Sequence, residues 1–276
     1  SEWMTRTAER LGLVVVATDF WGMSRDDLTR LVATLSSSFD DFESTPERLH
    51  QGIVNTLGAM RAFRGSCAAL DELAVPLAAG GTAPAYAADT AYFYGNSLGA
   101  ILGGALAGIA TDADRFALGV GGGSWSFLIT RSDAWRSFGD LIATTYEDAL
   151  ARDLMILMTA TLWDPIDAAS YAPHLLADPL AGTPVKHVMM QIGIGDVAVS
   201  NDSSHYEART AGIPLLIPSV AEPFGIAQTP GPASSGLTIY RLPGVDPNPP
   251  GTHDPGPDTP THNGVRSLEG ALLQLD

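Results

Sequence analysis

The stretch Gly95-Asn96-Ser97-Leu98-Gly99 is where residue types and spacing in this chain point most directly to chemistry. Gly-x-Ser-x-Gly is the turn that presents a serine between a strand and a helix. Residues 90–94 read as a strand, and Leu98–Ile109 returns to helical spacing. So tight a turn leaves no room for side chains at the flanking glycines, strains the serine backbone and pushes its Oγ into the open. Because the helix starts at once, its first amides and its dipole lie where an oxyanion would develop, and the N–H of Leu98 is the expected donor. The competing reading is a glycine-rich structural turn; the position at a strand-to-helix junction favours the nucleophile.

A serine hydroxyl at neutral pH needs a base, and the base needs an acceptor that fixes its tautomer. The order that accompanies such a turn is serine, acid, histidine. Asp196 follows the apolar run HVMMQI (187–192) through Gly193-Ile194-Gly195, at the C-terminal end of an expected parallel strand, where open α/β sheets place their sites. Asp202 and Asp164 are the reserve acids. Of six histidines, His253 and His262 alone lie in the loop near the chain end, and His262, directly before a closing helix, is the preferred base. His205 follows Asp196 too closely, and His50, His174 and His187 precede it. Two rival chemistries are weaker: an N-terminal nucleophile at Ser1, and a metal cluster of His253, Asp254, Asp258 and His262, whose loop reads better as solvated.

The elements that must position these residues alternate. Glu2–Leu11 reads as a helix, 13–18 (LVVVAT) as a buried parallel strand, and 25–37 and 46–63 as helices. Strand, helix and strand follow at 90–94, Leu98–Ile109 and 116–120. From 124 to 184 the strand signal disappears in favour of helical stretches with three tryptophans and several methionines, a helical insertion. Strands at 187–192 and 238–242, a helix around 205–210 and a closing helix at 265–275 complete the pattern. Alternation of this kind implies a mostly parallel sheet with helices on both faces. The chain divides into an N-terminal part of the core (1–123, with the serine turn at 95–99), the insertion (124–184) and a C-terminal part of the core (185–276).

Composition narrows the function. The formal charge is −16 and Lys186 is the single lysine, which disfavours nucleic acid, phosphorylated ligands and anionic membranes and suits a neutral substrate. One cysteine, Cys67, excludes an internal disulfide and is expected to be a buried thiol. Residues 91–111 carry no charge and hold Gly95/Gly99 and Gly104/Gly108 at Gly-x-x-x-Gly spacing, but a small-residue helix packed tightly on a sheet explains them better than a membrane span. No cofactor is required by this chemistry.

Through 14–24 (VVVATDFWGMS), 94–99 (YGNSLG), 191–196 (QIGIGD) and 262–266 (HNGVR), the chain resembles the α/β-hydrolase superfamily, and within it bacterial secreted or lipoprotein-like lipases and esterases. The resemblance implies an α/β-hydrolase-type sheet, a lid formed by 124–184 that sets substrate choice, and an extracellular or periplasmic location. It also implies a His-Gly oxyanion loop ahead of the first helix, which this sequence lacks. The first strands and the second oxyanion donor are therefore expected from an N-terminal fragment of the same precursor that completes the sheet. The expected function is hydrolysis of a neutral carboxylic ester through an acyl-enzyme on Ser97, with His262 as base and Asp196 as orienting acid. Amide, lactone or polyester hydrolysis would use the same triad, and a non-catalytic binding protein on the same fold is the reading from another class.

Overall fold

The structure, a computed structural model, describes residues 2–37, 39–247, 256, 257 and 259–275. The chain opens on α1 (Glu2–Leu11), whose Trp3, Met4, Ala8 and Leu11 recur at helical spacing and turn inward to one groove. The next segment departs from expectation. Residues 13–18 form no strand, and Leu13, Val14, Val15 and Val16 are 39–52% exposed. A β-branched run becomes a strand only where a neighbouring edge accepts its backbone hydrogen bonds, and among the described residues no such edge meets this one.

Then come α2 (Leu28–Ser37), α3 (Ser44–Arg64), and a two-stranded antiparallel ribbon of β1 (Ala74–Pro76) and β2 (Thr82–Pro84) that the apolar pattern does not announce. Asp27, expected in the first turn of a helix, instead ends a 3-10 turn ahead of α2. There it is buried, accepting from the Gly22 amide and the Ser24 hydroxyl and pairing with Arg48. Those partners hold its carboxyl at about 2 despite the opposing effect of burial. Cys67 is a free thiol at intermediate exposure, not the buried one expected, because its 3-10 turn (Ser66–Ala69) has no buried residue.

The core of the fold is β3 (Tyr92–Asn96), α4 (Leu98–Ile109), β4 (Arg115–Gly119), the helices α5 (Trp125–Ile129), α6 (Arg136–Thr145), α7 (Ala149–Met158), α8 (Ala160–Trp163), α9 (Ala168–Tyr171) and α10 (Pro173–Leu176), and then β5 (His187–Gly193), α11 (Asn201–Ala211), β6 (Leu215–Ile217), β7 (Gln228–Pro230), β8 (Gly236–Tyr240), α12 (Thr261–Gly264) and α13 (Glu269–Leu273). Six strands form one sheet in the order β3-β4-β5-β8-β6-β7, and every pair is parallel. The chain is thus α/β, with an all-parallel sheet flanked by helices. The sequence pattern misses β6 and β7, which are three residues long and bounded by proline.

On one face of the sheet lies α4. Alanine, glycine and leucine let it sit deep: a Cβ on Gly103 would come within 2.6 Å of Phe93, and one on Gly108 within 2.5 Å of Tyr171. The uncharged stretch is therefore a helix squeezed between the sheet and α9, and no helix among the described residues is long and apolar enough to cross a membrane. Leu102 and Leu106 are fully buried there, each worth about 1.5–3 kcal/mol relative to exposure. Behind α4, the buried Lys186 donates to the carbonyls of Ala110 and Ala113, so the single lysine closes the helix C-terminus, and burial lowers its pKa to about 8. On the other face α1 sets Trp3 against Tyr94 (5.2 Å between ring centres), while α13 receives the Gln191 amide on the Ala271 carbonyl.

Between β4 and β5 the described structure is entirely helical. Trp125 stacks on Trp163 at 4.8 Å, and Phe42 meets Trp163 edge-on at 5.5 Å. The insertion is not uniform, because α9 and α10 pack on α4 and α11 and so belong to the helical layer over the sheet.

Candidate active site

Ser97 lies between β3 and α4 with φ 57° and ψ −124°, a strained backbone for a residue with a Cβ. Its own N–H extends the ladder by bonding to Gly119 O at 2.9 Å, and its carbonyl accepts from Ala100 and Ile101 in the first turn of α4. A Cβ at position 95 would run into the Gly99 carbonyl, so this glycine is required by close approach. Position 99 faces open space, so the crowding expected on both sides of the serine holds on one. As the first residue of α4, Leu98 has an N–H with no intrahelical acceptor, available beside the serine.

Asp196 follows β5 through Gly195, whose φ of +73° turns the chain back at the C-terminal end of the strand. Asn201 clamps that turn, accepting from the Gly195 amide at 3.0 Å and donating to the Gly193 carbonyl at 2.7 Å. The carboxylate is 1% exposed, and its Oδ1 accepts from the amides of Ala198 and Val199, each at 3.0 Å. These bonds compensate a buried charge that would otherwise be costly.

His262 comes from the other side, on α12, after the loop that leaves β8. The Nδ1 N–H donates to Asp196 at 2.9 and 3.0 Å, and the Ser97 hydroxyl meets Nε2 at 2.8 Å. With the carboxylate fixing the proton on Nδ1, the neutral ring presents a lone pair from Nε2 to the serine. Two threonines tie the histidine loop to the acid loop: Thr259 Oγ1 donates to Gly195 O at 2.8 Å and Thr261 Oγ1 to Ile194 O at 2.9 Å. The structure therefore brings Ser97, Asp196 and His262 into one hydrogen-bonded line at the C-terminal ends of β3, β5 and β8.

The other candidates fall elsewhere. Asp202 stands in the first turn of α11, and Asp164 opens a 3-10 turn in the insertion. His50 is on α3, His174 bonds to the Asp178 carbonyl, His187 begins β5, and His205 is on α11, where burial lowers its pKa. Ser1, His253, Asp254 and Asp258 lie outside the described residues. Among the described residues no group of three His, Cys, Asp or Glu side chains could hold a metal ion.

Sequence reasoning missed the supporting groups. Asn201, Thr259 and Thr261 bond to backbone, which leaves no signature beyond polar residues near the acid and the base. Asp167 was missed too: it accepts from the amides of Ser124, Trp125 and Ala169, pinning the start of the insertion to its later part. Beside it Glu207 is fully buried, neither carboxyl oxygen has a hydrogen-bond partner among the described residues, and burial together with the Asp167 charge pushes its pKa up to about 8. The sequence matches no protein-family model, no curated protein and no solved structure, so the site's own geometry carries the argument about function.

Proposed function

We propose that the protein is a serine hydrolase of the α/β-hydrolase type that cleaves neutral carboxylic esters through an acyl-enzyme. The observation that carries this reading is the unbroken line Asp196–His262–Ser97, with heavy-atom separations of 2.9 and 2.8 Å, ending at a serine with φ 57°. A structural serine needs neither an imidazole acceptor nor a buried carboxylate behind that imidazole.

In the reaction, Ser97 Oγ attacks the ester carbonyl carbon as its proton passes to His262 Nε2. The carbonyl oxygen becomes an oxyanion beside the Leu98 N–H and the positive end of α4. Asp196 holds the ring orientation and offsets the charge of the imidazolium. The intermediate collapses, the C–O bond to the leaving group breaks, and His262 returns the proton to the departing alkoxide, which leaves as an alcohol. Water then attacks the acyl carbon and gives a proton to His262; the bond from the acyl carbon to Ser97 Oγ breaks, His262 returns the proton to that oxygen, and the carboxylic acid leaves. The resemblance assigns the second oxyanion donor to polypeptide ahead of α1. The part of the insertion from α5 to α8 acts as the lid, Asp167 tying its start to its later part, and the net charge of −16 selects against anionic substrates.

The test is a fluorophosphonate reaction followed by intact-mass spectrometry on the wild type and on Ser97→Ala. One adduct on the wild type and none on the variant is the expected result. A folded wild type that takes no adduct refutes the hydrolase reading and leaves a binding protein.

A further inference from the structure

Two peptide groups hold the Asp196 carboxylate, and the insertion holds both of those peptides from behind. The N–H groups of Ala198 and Val199 each donate to Asp196 Oδ1 at 3.0 Å. The first belongs to the same peptide as the Val197 carbonyl, which accepts from the Asp133 N–H at 2.9 Å. The second belongs to the same peptide as the Ala198 carbonyl, which accepts from the Ser132 hydroxyl at 2.6 Å. Two relays therefore run side by side from the turn after α5, each across one peptide, to one carboxylate oxygen. Ser132 is buried, and a little further on Arg136 donates to Gly256 O at 3.2 Å, in the loop that leads to His262.

The other supports of the acid loop act ahead of the carboxylate. Asn201, Thr261 and Thr259 donate to the carbonyls of Gly193, Ile194 and Gly195 and so set the course of the chain up to Asp196. Ser132 and Asp133 act after it, on the peptides whose amides touch the carboxylate. A peptide that accepts at its carbonyl is a stronger donor at its N–H, because the two bonds polarise it in the same sense. The rear bond also fixes its rotation. Residues 197–200 form a turn, with no helix or strand ladder to do so.

We propose that Ser132 is a positioning residue for Asp196, and that together with the Asp133 amide it makes the docked insertion part of the support of the triad. The catalytic consequence rests on the hydrolase reading above, whereas the two relays do not. Asp196 orients His262, so the peptide pair orients the imidazole at one remove. Displacing the 132–133 turn breaks both relays at once, so a docked insertion and an oriented acid go together. Ser132 meets the acid loop from behind, outside the line of reacting atoms, so its loss is felt in turnover and not in substrate binding.

The experiment compares the wild type with Ser132→Ala, Ser132→Thr and Asp133→Pro. Alanine removes one donor and threonine restores it. Proline removes the other donor at a position that accommodates it, since residue 133 opens a 3-10 turn and Ser132 before it is extended, with ψ 129°. The readouts are the proton NMR signal of the His262 Nδ1–H in the free protein, and kcat and KM on a p-nitrophenyl ester. In the alanine and proline variants the signal is expected to broaden through faster exchange with water, and kcat to fall about 10-fold with KM within about twofold of wild type. The threonine variant is expected to keep the wild-type signal and rate. A sharp, unmoved signal in both the alanine and the proline variants overturns the proposal, even where their melting temperatures fall, because it marks a role in stability alone. A wild type that hydrolyses no ester, but whose signal broadens in both variants, refutes the hydrolase reading and upholds the positioning of Asp196 by the insertion.

Discussion

Glu207→Gln isolates the cost of the buried carboxyl behind α4. Its carboxyl is fully buried, so close to α4 that a Cβ on Gly104 would lie 2.6 Å from Oε1, and it has no hydrogen-bond partner among the described residues. Burial, then the charge of Asp167, raises its pKa from 4.5 to about 8. Between these values the folded chain keeps a proton that the unfolded chain has lost. The contribution of this group is therefore fully present below pH 4.5 and is lost as pH rises through 8. The slope is about −1.4 kcal/mol per pH unit inside the window, which integrates to roughly 2–3 kcal/mol between pH 5.5 and 7.5. Glutamine keeps the shape and does not titrate, so wild type and variant share every other titration and differ by this amount. Urea unfolding of both proteins at the two pH values reads it directly. A wild type whose stability changes over that interval by the same amount as the variant refutes a neutral Glu207.

Other outcomes follow from the same geometry. Ser97→Ala is expected to lower ester hydrolysis by at least about 10³-fold, and Asp196→Asn by about 10⁴-fold because the histidine loses its orienting acceptor; kcat on a p-nitrophenyl ester measures both, and activity retained by Asp196→Asn would remove Asp196 from the mechanism. Gly95→Ala, whose Cβ meets the Gly99 carbonyl, is expected to cost about 1–3 kcal/mol or more and to displace Ser97, whereas Gly99→Ala, which faces open space, leaves folding stability within about 0.5 kcal/mol; thermal melts of the pair test the asymmetry. Lys186→Met removes the donors to Ala110 O and Ala113 O and is expected to destabilise by about 2 kcal/mol or more in urea, because two buried carbonyls at the end of α4 lose their partner.

What could be read from the sequence is what chemistry demands of side chains in a fixed order. The serine turn is local, its glycine at 95 is required by close approach, and a parallel sheet leaves few loops at its C-terminal edge for the acid and the base. Residues 13–18 misled for a physical reason: their composition satisfies a strand, but a strand is a property of two edges, and no second edge meets this run among the described residues. β6 and β7 are too short to show a period. Glu207 was hidden because α11 (NDSSHYEARTA) reads as a polar helix, while tertiary packing buries Ser203, Ser204 and Glu207 together.

The same considerations bear on how the site keeps its shape. β3 carries Ser97 at the edge of the sheet, where one side of the strand has no ladder among the described residues, so the sheet alone does not fix Ser97. Its position is set instead by the bond from its amide to Gly119 O, by α4 pressed onto Phe93, and by the line through His262 to Asp196.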